Sequence, residues 1–205
     1  MNPAKLFPMF LKLGGRPCLV VGAGIVAESK IASLIGADAN VLVVAPDATP
    51  EVRSWAQEKL VEWRQRGFQP DDLNDMFIVV AATSSTELHK QILQEARRRG
   101  VLCNIVDVPE LCDFYYPAVV QRGALQIAVS TSGESPALAQ RLRIELEEQF
   151  GPEYEAWLEY LSEARDKLLS QKLDPEERKR LLHKLASKEA FEAFRREHKP
   201  TSSPG

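Results

Sequence analysis

The sequence predicts an α/β fold: a parallel sheet covered by helices on both faces, then a small segment of two strands and a helix, then a helical end. Three observations predict it. Short apolar runs alternate with helical patterns through the first part of the chain. The runs are near-continuously hydrophobic, as strands buried on both faces require. The pattern then changes twice, after Pro117 and after Gly151. The expected divisions are therefore 1–116, 117–150 and 151–205.

Strands are expected at Cys18 to Val21, Asn40 to Val44, Phe77 to Ala82 and Val101 to Val106. Helical patterns lie between them at Ala27 to Ile35, Val52 to Glu58 and Leu88 to Arg99. Beyond Pro117, AVVQR, Gly123 and ALQIAVS read as a hairpin, followed by the turn TSGE and a helix over Pro136 to Phe150. Ser135 before Pro136 forms an N-cap and first-turn pair. A strand pair with one helix is too small to fold alone, so it must pack on the sheet or on another subunit. Gly151 and Pro152 then punctuate the chain. In the helical remainder Tyr154, Trp157, Leu158, Leu161 and Leu168 share one face. Leu181, Leu182 and Leu185 share another, after the Asp174-Pro175 start signal. Thr201 to Gly205 is expected to be a disordered tail.

Composition excludes several classes. The chain has 205 residues, 44% of them hydrophobic, which suits a globular protein with one core and room for a second small domain. A formal net charge of -3 offers no basic surplus for nucleic acid. From Gly151 onward eleven Lys/Arg balance eleven Asp/Glu, a pattern of solvated helix faces. The Arg97 to Arg99 cluster reads as the exposed end of a helix. No apolar run approaches the roughly 20 residues of a membrane span, and MNPAKLFPMF is too short and proline-broken for a signal peptide. No membrane association and a cytoplasmic location are expected. Cys18, Cys103 and Cys112 form no C-x-x-C pair, and Cys18 and Cys103 fall in strands as buried, inert thiols. With His89, His183 and His198 scattered, no metal site is expected. His89 itself reads as a surface residue of its helix.

The chemistry is carried by strand ends. LVVGAGIVAESK contains Gly22, Gly24 and Ala27 in a G-x-G-x-x-A turn between a strand and a helix, the context of a dinucleotide site. Gly22 allows the tight turn, Gly24 lets backbone approach a pyrophosphate, and Ala27 lets the helix pack on its strand. The helix amides then hold the anion. The next strand ends VVAPD. Asp47 there either binds ribose hydroxyls or caps the helix that starts near Pro50, and the Pro46-Asp47 backbone borders the adenosine in both cases. Arg53 belongs to the following helix, so NAD is favoured over NADP. The strand ending AAT puts Thr83 and Ser84 at the carboxyl edge, where ligands of open sheets bind, or where they cap the next helix. The strand ending NIVD delivers Asp107 beside the expected nicotinamide position, either as a general base or as a cap on the Val108-Pro109 turn.

Taken in order, FPMFLKL, LVVGAGIVAESK, VVAPD, VVAAT, NIVDVPELCDFYYPAVVQRG and IAVSTSGESPALAQRLR resemble the precorrin-2 dehydrogenase family. That family includes dehydrogenases of single function and bifunctional dehydrogenase/ferrochelatases of sirohaem synthesis. The match runs from Phe7 to about Phe150, and its downstream blocks are far more specific than the glycine turn. The resemblance implies a Rossmann-type domain, a central dimerisation segment and a C-terminal helical domain in a homodimer. It implies NAD-dependent oxidation of the tetrapyrrole precorrin-2 to sirohydrochlorin. It makes Asp107 the catalytic aspartate, and Gly22, Gly24, Ile25, Val26, Pro46 and Asp47 cofactor contacts. The chain departs from the family pattern at Ser84, His89, Thr131 and Gln140. Arg141 and Arg143 remain candidates for the carboxylates of the substrate.

Three alternatives accompany this reading. A bifunctional enzyme would also insert ferrous iron into sirohydrochlorin, with one carboxylate assisting both steps. A non-enzymatic NAD(H)-sensing dimer would keep the glycine turn without needing the NIVD-to-SPALA constellation. A degenerate scaffold subunit would need neither the complete glycine turn nor Asp107.

Overall fold

The computed structural model describes residues 5–198, so the expected tail at Thr201 to Gly205 lies outside the described residues. The chain divides into two compact units, Met1–Tyr116 and Pro117–Gly205.

The first unit holds β1 (Pro17–Val21), α1 (Ile25–Ile35), β2 (Asn40–Val44), α2 (Pro50–Gln57), β3 (Val61–Arg64), β4 (Ile78–Ala81), α3 (Thr86–Arg99) and β5 (Leu102–Ile105). The strands form one parallel sheet in the order β3-β2-β1-β4-β5. The chain starts at β1, winds outward to β3, and returns to the other side of β1 as β4. The strand order therefore reverses between β1 and β4, the position at which open sheets of this kind leave a crevice.

Alternation within each strand explains the burial on both faces. Cys18, Val20, Val41, Val43 and Val80 face α1 and α2, where Ala27, Ile31, Leu34 and Val52 cover them. Leu19, Val21, Leu42, Val44, Val79 and Ile105 face the other way and are covered by Ile92, Leu93 and Ala96 of α3. Cys18 and Cys103 are fully buried. Burial raises the Cys18 thiol to about 11 and the Cys103 thiol to about 12, so both are inert as the sequence predicts.

The sequence reading has no counterpart for β3. Its four residues, VEWR, alternate Val61 and Trp63 with Glu62 and Arg64, so no apolar run marks it. It is an edge strand held from the side. Trp63 Nε1 donates to the Ala45 carbonyl at 3.1 Å. The carboxylate of Asp72, on the 3-10 turn Pro70–Leu73, accepts from Arg64 Nη1 at 3.1 Å and Arg66 Nη1 at 2.8 Å.

The second unit opens with an antiparallel pair, β6 (Ala118–Arg122) and β7 (Leu125–Val129). The helices α4 (Pro136–Gln149), α5 (Glu153–Ser170), α6 (Pro175–Leu185) and α7 (Lys188–Glu197) follow. The Ser135 hydroxyl accepts from Leu138 N at 3.2 Å, the N-cap that the sequence predicts for α4. Arg122 ties the hairpin to the end of α4 by donating to the Phe150 carbonyl at 2.9 Å. Trp157 of α5 is buried against Phe191 and Phe194 of α7, with Tyr154 and Leu161 beside them. The sequence reading places Trp157 on one helical face with Tyr154 and Leu161 but names no residue of α7, which supplies the other half of that core.

Candidate functional site

The loop between β1 and α1 is shaped by two glycines for different reasons. Gly22 has φ +106, and a Cβ there would lie 2.3 Å from the Ala82 carbonyl oxygen. Its own N–H donates to the Val44 carbonyl at 2.9 Å. Gly22 is thus wedged between the exits of β2 and β4, and no other residue fits. Gly24 is the opposite case. Its φ is −85, which any residue adopts. A Cβ at Gly24 would meet nothing within 4 Å. The chain itself does not require glycine at that position, which leaves open ground directly over the start of α1.

That start carries no side-chain cap, so the first-turn N–H groups of α1 are left for another acceptor. Ile25 is 81% and Val26 52% exposed, two large aliphatic residues standing at the mouth of the loop. Ala27 is fully buried against the sheet, as its small size predicts.

The exit of β2 is tied to this loop by Thr49 N, which donates to the Ala23 carbonyl at 3.0 Å. Thr49, not Asp47, caps α2, its hydroxyl accepting from Val52 N at 3.4 Å. The capping role weighed for Asp47 is therefore not realised. Its carboxylate is exposed and accepts from Ala48 N at 2.8 Å and from Arg53 Nη2 at 2.5 Å. The Ala48 amide first, and then Arg53, hold it below the usual carboxylate range. Arg53 lies on α2 as the sequence places it, yet it reaches back to the β2 exit.

At the β4 exit, α3 is capped by Ser85, whose hydroxyl accepts from Leu88 N at 3.3 Å, so neither Thr83 nor Ser84 is the cap. Thr83 Oγ1 is buried and has no hydrogen-bond partner among the described residues. His89, expected on the surface, is buried instead, and its Nε2 lies 2.8 Å from the Thr83 carbonyl as the donor to it. A single buried imidazole thus fixes the turn against which Gly22 packs.

Asp107 follows β5 with φ +63, the αL conformation that glycine favours and few other residues adopt. Its side chain is exposed and makes no hydrogen bond to the Val108-Pro109 turn among the described residues, so the capping alternative is not realised. The segment behind it is fastened at both ends. Asp113 accepts from Cys103 N at 2.9 Å, and Asn104 Nδ2 donates to the Phe114 carbonyl at 2.8 Å.

Gly22, Gly24, Pro46, Asp47, Thr83 and Asp107 lie on the loops that leave the carboxyl ends of β1, β2, β4 and β5, and Ile25 and Val26 open α1 beside them, all in one unit. The open ground over Gly24, the uncapped helix start and the orphaned Thr83 hydroxyl suit an anionic, hydrogen-bonding ligand such as a dinucleotide. No group of three His, Cys, Asp or Glu residues able to hold a metal occurs among the described residues. In the second unit Arg141 and Arg143 pair with Glu145 and Glu147 at 2.7 and 2.5 Å along α4.

Residues 9–118 match the family described as "Putative NAD(P)-binding", and residues 122–149 match "Sirohaem biosynthesis protein central". The chain belongs to this NAD(P)-binding family. Sirohaem synthase from Nitrosococcus oceani is 39% identical over 143 residues, which is 70% of this chain and 31% of that protein. Sirohaem synthase from Thioalkalivibrio sulfidiphilus is 36% identical over 188 residues, 92% of this chain and 38% of that protein. The chain thus spans about a third of the length of these curated relatives. Among solved structures, "SirC, precorrin-2 dehydrogenase" superposes with a TM-score of 0.81 at 25% identity, over 94% of this chain and 96% of that one. The likeness reaches beyond the sheet into the hairpin and the helices, as the family resemblance in the sequence implies.

Sequence reasoning missed Lys30 and misplaced His89. Neither carries a local signal. Each acquires its neighbours only when the sheet edge is assembled, Lys30 meeting the Tyr116 ring at 4.1 Å and His89 the Thr83 carbonyl.

Proposed function

We propose that this chain is an NAD-dependent dehydrogenase that oxidises precorrin-2 to sirohydrochlorin in sirohaem biosynthesis. The observation that carries the reading is the likeness to SirC along nearly the whole chain, joined to Asp107 on the same sheet edge as the glycine loop. Gly22, Gly24, Ile25 and Val26 seat the pyrophosphate against the free amides of α1. Pro46 and Asp47 border the adenosine ribose, where the unshared carboxylate oxygen of Asp47 accepts from a hydroxyl and disfavours a 2′-phosphate. The Thr83 hydroxyl gains its partner from the cofactor. NAD, when bound, accepts the hydride. Asp107 takes the proton released as the macrocycle gains a double bond, so one hydride and one proton leave the substrate together.

Anaerobic precorrin-2 and NAD, with NADH formation and the sirohydrochlorin spectrum followed together, test the reading. Equal yields of NADH and sirohydrochlorin support it. NAD binding without oxidation sinks it and favours the NAD(H)-sensing dimer. The sirohaem synthase relatives favour a second reading, in which the protein also inserts ferrous iron. Addition of iron to the same cuvette decides it, through metallation faster than the enzyme-free control.

The division into a dinucleotide domain (1–116), a dimerisation segment (117–150) and a helical domain (151–205) belongs to this proposal. So does a homodimer. A lone two-stranded sheet is marginal in water, and Val119 on β6 and Ile144 on α4 are exposed. No helix among the described residues is long and apolar enough to cross a membrane. Work in the cytoplasm, on a small-molecule substrate and without nucleic acid, belongs to the same proposal.

A further inference from the structure

Most cations near the candidate site and on α4 are already engaged: Arg53 by Asp47, Arg141 by Glu145 and Arg143 by Glu147. Lys30 of α1 is different. It is half-buried, and no carboxylate pairs with it among the described residues. Its ammonium is seated over the Tyr116 ring, 4.1 Å from the centroid. Burial pulls its proton affinity below that of an ordinary lysine, while the charge of Asp107 pulls it back up. The Asp107 charge thus bears on Lys30 with no ion pair between the two among the described residues.

Half-buried charges are ordinarily matched by an opposite charge. Here an aromatic face holds the cation in place without neutralising it. Tyr116 is itself fixed in the core beside Phe114, with ring centroids 5.7 Å apart. The result is a positioned, uncompensated ammonium on the Asp107 side of α1. Cofactor phosphates have their own donors at the first turn of the helix, whereas Lys30 stands a further turn along. The anion left to account for is the other ligand of the site.

We propose that Lys30 anchors a peripheral carboxylate of the tetrapyrrole and so holds the edge of the macrocycle beside Asp107. The proposal rests on the precorrin-2 reading above. It makes Lys30 the substrate anchor that Arg141 and Arg143, each occupied by a glutamate, do not provide.

The test compares the parental protein with Lys30→Met, which keeps the stem over Tyr116, and Lys30→Arg, which keeps the charge. Sirohydrochlorin is titrated into each NAD-loaded protein and followed by its absorbance. NAD affinity is measured separately. Loss of one charge-assisted contact predicts roughly tenfold or greater weakening of sirohydrochlorin binding in Lys30→Met. Lys30→Arg should stay within about threefold of the parent, and NAD affinity should be unchanged in both. In turnover, Lys30→Met should raise KM for precorrin-2 while kcat holds. Parental sirohydrochlorin affinity in Lys30→Met overturns the proposal. So does a loss confined to NAD, which would assign Lys30 to the cofactor phosphates. A parental protein that binds NAD but no sirohydrochlorin removes the precorrin-2 reading and the anchor together, and that failure appears before any variant is compared.

Discussion

Gly22 and Gly24 lie two residues apart and answer to different constraints. Gly22→Ala places a Cβ on the Ala82 carbonyl in a backbone region closed to side chains. It should cost about 3 kcal/mol or more, seen as a lowered urea midpoint even without cofactor. Gly24→Val meets only open space in the chain. Its urea midpoint should stay near the parental value, apart from a small entropic effect, while NAD affinity falls at least tenfold by our reading. If both variants lose stability equally, the separation of roles fails. Asp107 belongs at the same scale. Asp107→Asn keeps the shape and the tolerance for αL but removes the base. kcat for precorrin-2 oxidation should drop by at least ~100-fold with NAD affinity intact. A parental rate would take Asp107 out of proton transfer.

At the level of elements, β3 is the one that local sequence does not announce, and its anchor is electrostatic. Asp72 is buried, with two arginines and the Gln69 amide on its carboxylate. Burial taken alone raises the carboxyl, but Arg66, the Gln69 amide and Arg64 together outweigh it and hold Asp72 below the usual range. Because its folded value lies under the unfolded value of about 3.9, its stabilisation is complete above that pH and is lost as pH falls through the folded value. Asp72→Asn should therefore destabilise the first unit by ~2 kcal/mol at pH 7 in urea unfolding, a figure discounted because Arg64 and Arg66 are partly exposed. The gap between variant and parent should close below about pH 4. A gap independent of pH would mean that shape, not charge, is what Asp72 contributes. In the second unit α7 plays the corresponding part. Phe191→Ala opens the Trp157 cluster and should cost ~3 kcal/mol in that unit, read as a fall in helical signal at lower temperature with NAD binding kept.

For the whole molecule, the expected assembly is two copies of the 22.9 kDa chain. Sedimentation equilibrium should return twice that mass, and Ile144→Glu should shift it toward the monomer. A parental chain that sediments at 22.9 kDa would leave the hairpin without its proposed partner.

The sequence by itself determined the alternation of strands and helices, the glycine loop, the capping of α4 by Ser135, and the position of Asp107. These depend on residues adjacent in the chain or one helical turn apart, where spacing and stereochemistry are local. Only the tertiary structure decided which of Asp47 and Thr49 caps α2, that His89 is buried beneath the Thr83 turn, that β3 exists, and that α7 closes on Trp157. It also decided that Lys30 stands uncompensated beside Tyr116. Each of these turns on contacts between residues distant in sequence, or on which of several nearby polar groups wins a partner. Burial and competition for hydrogen bonds are settled only when the sheet and the helices come together.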